Sequence, residues 1–410
     1  MSACDCGHGE LKPVDEAIAA LLEMAPSPPS AEWVPLGQAL GRTLAEPVHA
    51  LRPLPAWDNS AMDGYALRAA DLAEGGGHLP LAGRIAAGDA AQARLPGGHA
   101  VRIFTGAPLP EGADCVVPQE QARLDGAGVW LPPCRAGDHV RRCGEECARG
   151  ERVLEAGDRL RAQELGLLAS LGVPEVAARR RLRVGLLSSG NELREPGEIL
   201  LPGQIYNANR YSLGGVLRGL GLEVDDCGVL IDDLATSRDA LSLVASEWDV
   251  LITSGGVSVG EEDHLKQAVR ELGELHLWRL AIQPGKPFAF GRVCGTPWIG
   301  LPGNPVAALI TALVVARPFL LRAQGRREVL PKALPVAAGF AWRRANPRRQ
   351  YLRARLEQGL DGLQLVPHEK QGSAMLSSAC WADGLAVVEA GRVFEAGAPV
   401  DFLSFAELAG

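Results

Sequence analysis

Between Leu182 and Leu320 the chain alternates apolar runs with helical patterns, and this regularity restricts the fold more than any other feature of its 410 residues. LRVGLLS, EVDDCGVL, DVLITS and LHLWRLAI read as strands, while Asn209 to Leu220, Leu234 to Trp248, Asp263 to Leu272 and Asn304 to Leu320 read as helices. Strands that are apolar throughout need cover on both faces, and intervening helices supply it. The spacing therefore predicts a doubly wound, mostly parallel α/β domain over residues 181–328.

The flanks have a different texture. Short apolar pieces broken by Gly and Pro, such as GRIAAGD and HAVRIFTG, predict a β-rich small domain over 51–149. Val14, Ile18, Leu21 and Leu22 recur at helical spacing, and a second helical pattern surrounds Gln163 to Leu171. These two helices are expected to pack together in a discontinuous N-terminal helical or linker domain, 1–50 with 150–180. From 329 to 410 short strands return, as in YLRARL and LAVVEAG, and predict a small β-barrel.

Composition excludes several classes. A net charge of −8 argues against a general nucleic-acid binder. The longest apolar run, Val306 to Ala316, stops at Arg317, short of the roughly 20 residues a bilayer needs. MSACDCGHGE lacks the basic and apolar regions of a secretory leader. Nine scattered cysteines suit reduced thiols and a cytoplasmic protein. Cys4, Cys6 and His8 fall short of the ligand set of a structural zinc and read as a flexible tail.

In open α/β sheets ligands sit beyond the carboxyl ends of the strands. Here those ends carry Ser188 to Glu192, Asp232-Asp233, Ser254 to Asp263, Gln283 to Pro287 and Leu301 to Pro305. Ser254, Gly255, Gly256 and Ser258 would let backbone N–H groups approach a phosphate closely. Gly303, Asn304 and Pro305 make a helix start, with Asn as N-cap and Pro at the first position, whose positive end suits an anion. Glu192, Asp233 and Asp263, with Glu261 and Glu262 nearby, would repel one another without a hard cation or cationic side chains among them. Mg²⁺ with Lys266, Arg279 and Lys286 would meet that need. Lysine occurs only at 12, 266, 286, 332 and 370, which draws attention to each. Such a site suits a phosphorylated substrate handled with a metal ion. Two further loops, Trp57 to Ala66 and Phe104 to Asp114, have the composition of polar recognition loops.

DNSAMDGYA, FTGAPLPEGAD, SSGNEL, GQIYNANR, SGGVSVGEED, QPGKPFAFG and LPGNPVAAL, in this order, resemble the MoeA family, which includes the E domain of gephyrin. The resemblance spans about residues 11–405. It implies a molybdopterin molybdenumtransferase that inserts molybdate into adenylylated molybdopterin, with Mg²⁺ and release of AMP. It also implies an elongated homodimer with each cleft shared between subunits. Asp63 and Thr105 would then reach the partner's cleft, and Glu192, Asp233 and Asp263 would form the acidic, metal-binding cluster. Pro302 and Pro305 would close the site, and Arg353 and Ser373 would help hold the anionic ligand. Asn191, Gln283, Arg279 and Glu146 stand where the family commonly has Asp, Lys, Lys and Asp. The alternatives are a molybdopterin adenylyltransferase, whose single α/β domain resembles residues 180–325, a tungstate-handling paralogue, or a non-catalytic scaffold. An adenylyltransferase is also a candidate partner, and neither nucleic acid nor membrane is expected as one.

Overall fold

A sheet of six strands forms the centre of the molecule, in the order Glu223–Leu230, Arg183–Ser189, Val250–Ser254, Thr296–Leu301, Pro287–Val293 and Gly273–Arg279. The computed structural model describes residues 11–89, 94–257, 264–360 and 362–409. The first three of these strands run parallel, as the alternation predicts, and Thr296–Leu301 joins them parallel as a fourth. The last two make antiparallel pairings, so the expected strand LHLWRLAI enters the sheet beside Pro287–Val293 and not as a fourth parallel neighbour. PFAFGRV and TPWIGL were absent from the sequence expectation because no helix separates them. They form a hairpin whose turn residues, Cys294 and Gly295, have φ of 49° and 89°, the backbone that a two-residue turn demands.

Helices cover both faces. Ala208–Gly219 and Pro305–Ala323 lie in one apolar core with Val184, Leu186, Ile252 and Ile299, whereas Leu234–Ala245 and His264–Leu272 enclose a second with Leu187, Leu251 and Trp298. The stretch Pro305–Ala323 is long and apolar enough to cross a membrane, but 89% of it is buried inside the protein. It is a core helix here.

The N-terminal expectation needs correction. Helix Val14–Glu23 does not pack with Ala162–Ser170; its Val14, Ala17 and Leu21 enter the α/β core beside Phe319 and Leu320. Its apolar stripe finds the larger apolar surface. Ala162–Ser170 instead packs on the pair Ala31–Pro35 and Glu175–Arg179 through Leu168, Val34 and Val176.

The small domain holds a four-stranded sheet, ordered Leu81–Ile85, Ala100–Ile103, Gly64–Leu67 and Cys115–Pro118, and a three-stranded one. At the C-terminus, Arg349–Gly359, Gly362–Pro367, Leu334–Ala338, Pro399–Ser404 and Gly384–Val388 close into a barrel. Ile282–Gln283, leaving the α/β sheet, pairs with Arg349 and Gln350 and so joins the two units.

Asp249 fixes another joint. Its carboxylate accepts both terminal nitrogens of Arg180 at 2.9 Å and the Arg183 N–H at 2.7 Å. Burial alone would raise its pKa, but the guanidinium and the N–H outweigh burial and hold it below the usual range. A depressed carboxyl contributes stability above its unfolded pKa and loses it as pH falls through the folded value. Asp249→Asn is therefore expected to cost about 2 kcal/mol at neutral pH. Urea unfolding of both proteins should show the difference shrinking below about pH 4.

Candidate active site

The loops at the carboxyl ends of the parallel strands surround a cleft of about 1100 Å³, walled on its far side by Arg348 and residues 371–374 of the C-terminal unit. Ten of the expected residues line it: Glu192, Ser254, Gly255, Gly256, Lys286, Pro302, Gly303, Asn304, Pro305 and Ser373.

Each wall has a local cause. Gly190 has φ +150°, and a Cβ there would collide with the Glu192 carboxylate, so the glycine leaves that acid its place. Asn191 Oδ1 accepts the Asp232 N–H at 3.1 Å and ties the first two loops together. An Asn keeps that bond without adding charge beside Glu192. Gly255 and Gly256, at φ +88° and +65°, turn the chain sharply out of strand Val250–Ser254, and the Gly255 N–H donates to the Leu301 carbonyl at 3.0 Å. Asn209 Nδ2 holds the Gly303 carbonyl at 2.8 Å.

Several expected roles change. Asp233 does not line the cleft: its carboxylate caps helix Leu234–Ala245, accepting the Thr236 N–H at 2.8 Å, which lowers its pKa. Asp232 lines the cleft in its place. The helix start at Asn304 is not open to an anion, because the Val306 and Ala307 N–H groups donate to the Ser373 carbonyl at 2.9 and 3.2 Å. Arg353 is only 1% exposed and holds Ser378 Oγ and the Gly372 carbonyl, each at 3.0 Å. It shapes the 371–374 wall from behind instead of facing a ligand. Burial without an acidic partner pushes its guanidinium down to about 10.

Arg279 and Lys266 do not line the cleft. Arg279 ends the edge strand Gly273–Arg279, and Lys266 is buried in helix His264–Leu272. Ser258, Glu261, Glu262 and Asp263 lie outside the described residues, as do Cys4, Cys6 and His8. Asp63 and Thr105 meet each other in the small domain, away from their own chain's cleft: Asp63 Oδ1 accepts the Thr105 N–H and hydroxyl, both at 2.8 Å. Those two bonds, the backbone one foremost, lower the Asp63 pKa.

The sequence reading missed Asp232's role, Asn207, Asn209, Gln371 and Arg348. Arg348 Nη2 donates to Gln283 Oε1 at 2.6 Å, so a cation from the C-terminal unit stands beside the position that lacks the common lysine. Arg348 stands just before strand Arg349–Gly359, whose first residue turns instead to Asp15 and Glu389.

A glycine-lined cleft at strand ends, holding both acids and cations and closed by residues of a C-terminal barrel, defines a multidomain α/β protein with a site for an anionic ligand. Residues 12–172 match the MoeA N-terminal region (domain I and II), 185–322 the "Probable molybdopterin binding domain", and 335–405 the MoeA C-terminal region (domain IV). The molybdopterin molybdenumtransferase of Haemophilus influenzae is 43% identical over 317 residues, 77% of this chain and 78% of that one. That of Staphylococcus aureus is 30% identical over 399 residues, 95% of each chain. A crystal structure of the MoeA protein of Pyrococcus horikoshii superposes with a TM-score of 0.75 at 31% identity, covering 97% of this chain and 99% of that one. The chain belongs to the MoeA family, the molybdopterin molybdenumtransferases, enzymes of molybdenum cofactor biosynthesis.

Proposed function

We propose that this protein inserts molybdate into adenylylated molybdopterin with Mg²⁺ and releases AMP. It works as a homodimer in which Asp63 and Thr105 of the partner subunit complete each cleft. The observation that carries the reading is that Glu192, Asp232, Lys286 and Arg348 all line one cleft. Molybdate is a dianion, and acids alone would repel it. The ammonium of Lys286 and the guanidinium of Arg348, in the same lining, lower that barrier.

The donor set suits magnesium, which takes one or two carboxylates and completes its shell with water and substrate phosphate oxygens. Glu192 and Asp232 offer that pair, and among the described residues no cluster of three or more metal-ligating side chains exists in one chain. Bound there, the ion would draw charge from the phosphoanhydride and make AMP a better leaving group. The protein's own part is placement. The Gly255–Gly256 turn gives the phosphate a close backbone approach, and Gly303–Pro305 with Gln371–Ser373 forms the opposing wall.

The test incubates the purified protein with adenylylated molybdopterin, Mg²⁺ and either molybdate or tungstate, and follows nucleotide. AMP release that requires both oxyanion and Mg²⁺ is expected. ATP-dependent adenylylation of molybdopterin by the same protein would favour the adenylyltransferase reading instead. Tungstate, a tetrahedral dianion of similar size, should compete with molybdate. An adenylyltransferase that supplies the substrate is the partner implied. Glu192→Gln should fold normally yet lower AMP release about a hundredfold, since it removes charge at the reacting centre.

A further inference from the structure

Two thiols meet in the small domain, and the proposed chemistry uses neither. Cys115 Sγ and Cys134 Sγ stand 3.0 Å apart without a bond between them. Cys115 opens strand Cys115–Pro118 and is fully buried, its thiol directed at the Leu67 carbonyl at 3.6 Å. Cys134 lies beyond the end of strand Gly128–Leu131 and is half-buried. A disulfide sets its sulfurs about 2.05 Å apart, so this pair needs to close by only about 1 Å. Burial raises both thiols above the ordinary range, which makes them slow to react near neutral pH.

The segments that carry these cysteines hold something in common. Strand Cys115–Pro118 pairs with Gly64–Leu67, which begins directly after Asp63, and the Gln119 N–H donates to the Asp63 carbonyl at 3.0 Å. Downstream of Cys134, the His139 carbonyl accepts the Ala61 N–H at 2.9 Å, and Val140–Arg141 pairs with Asn59–Ser60. The loop bearing Asp63 is therefore gripped from one side by the Cys115 strand and from the other by the segment that Cys134 leads into. Two backbone bonds already join these grips: the Gly137 N–H donates to the Asp114 carbonyl at 2.8 Å, and the Val116 N–H to the Asp138 carbonyl at 2.9 Å. A covalent tie between residues 19 positions apart would add to them by removing freedom from opened states of the domain.

We propose that Cys115 and Cys134 form a reversible disulfide that braces the loop bearing Asp63, made by exchange with a low-molecular-weight disulfide such as oxidised glutathione. Cys134, the more accessible sulfur, attacks as the thiolate; a mixed disulfide forms as the reagent's S–S bond breaks, and one thiol leaves. Cys115 then gives up its proton, bonds to Cys134 Sγ and displaces the second thiol. The protein's two thiols are oxidised, and the reagent's disulfide is reduced to two thiols.

The test treats the full-length protein with oxidised glutathione at about pH 8.5, where more of each thiol is ionised. Peptide mass mapping and amide hydrogen exchange follow, both without substrate, so neither depends on the reaction proposed above. A peptide pair linking Cys115 to Cys134, lighter by two hydrogen atoms and separated by dithiothreitol, is expected. Amides in the segments carrying Ala61 and Gln119 should exchange about tenfold more slowly in the oxidised protein and recover on reduction. Cys134→Ser should show neither the link nor the slowing, and Cys115→Ala should stop at the mixed disulfide on Cys134. Failure of the unaltered protein to form this link, with glutathione left on Cys134 or other cysteines joined instead, would overturn the inference. So would a link that leaves exchange in those segments unchanged, or slowing that persists in Cys134→Ser.

Discussion

Gly255→Ala is expected to abolish molybdate-dependent AMP release while leaving most of the molecule folded. At φ +88° an alanine costs about 1–3 kcal/mol of backbone strain. The new Cβ would also run into the Ser189 carbonyl oxygen, which is backbone and cannot swing aside. Either the strand end Arg183–Ser189 or the turn after Ser254 has to move, and both carry cleft residues. Displacements near 1 Å at a reacting centre cost about a hundredfold in rate. Nucleotide release beside a thermal melt checks this: turnover should fall at least about a hundredfold while Tm shifts by several degrees only. Normal turnover would mean that this turn does not position substrate.

Arg353→Ala should have the largest effect on stability among the barrel residues near the site. It strips bonds from Ser378 Oγ and the Gly372 carbonyl and leaves a hole in the wall behind residues 371–374. Unsatisfied buried acceptors and the cavity together cost about 3 kcal/mol. Lysine cannot replace the fork, so Arg353→Lys should recover little. Equilibrium urea unfolding measures the loss. Because the Ser373 carbonyl receives the first N–H groups of helix Pro305–Thr311, loosening that wall should also raise KM for substrate. Full stability in Arg353→Ala would contradict the positioning role.

These two cases mark how far the residue pattern could be read. Gly255 was identifiable because a glycine pair leaving a buried strand has a local physical meaning. The helix-separated strands Arg183–Ser189, Glu223–Leu230 and Val250–Ser254 were legible too, whereas Thr296–Leu301, joined to its neighbour by a hairpin, was not. Arg353 was misplaced because burial of a guanidinium depends on long-range packing: its partners are 19 and 25 residues away, on the loop and helix that follow the next strand. Asp233 illustrates the same ambiguity at short range. Two adjacent acids begin a helix, one must cap it, and the sequence does not say which; the structure gives Asp233 the cap and Asp232 the cleft. Arg348 escaped notice because one arginine among so many carries no signal until the barrel sets it beside Gln283.

The central claim is that acids from two subunits serve one cleft. Asp63 sits outside the cleft of its own chain, while Glu192 lines it. Co-expression of Asp63→Ala with Glu192→Ala tests this directly, each variant being inactive alone. In mixed dimers one cleft combines an intact Glu192 with the partner subunit's intact Asp63, and the other has neither. With random pairing, AMP release should recover to about a quarter of the unaltered rate. A mixture as inactive as its parents, with mixed dimers shown to be present, would contradict the shared site.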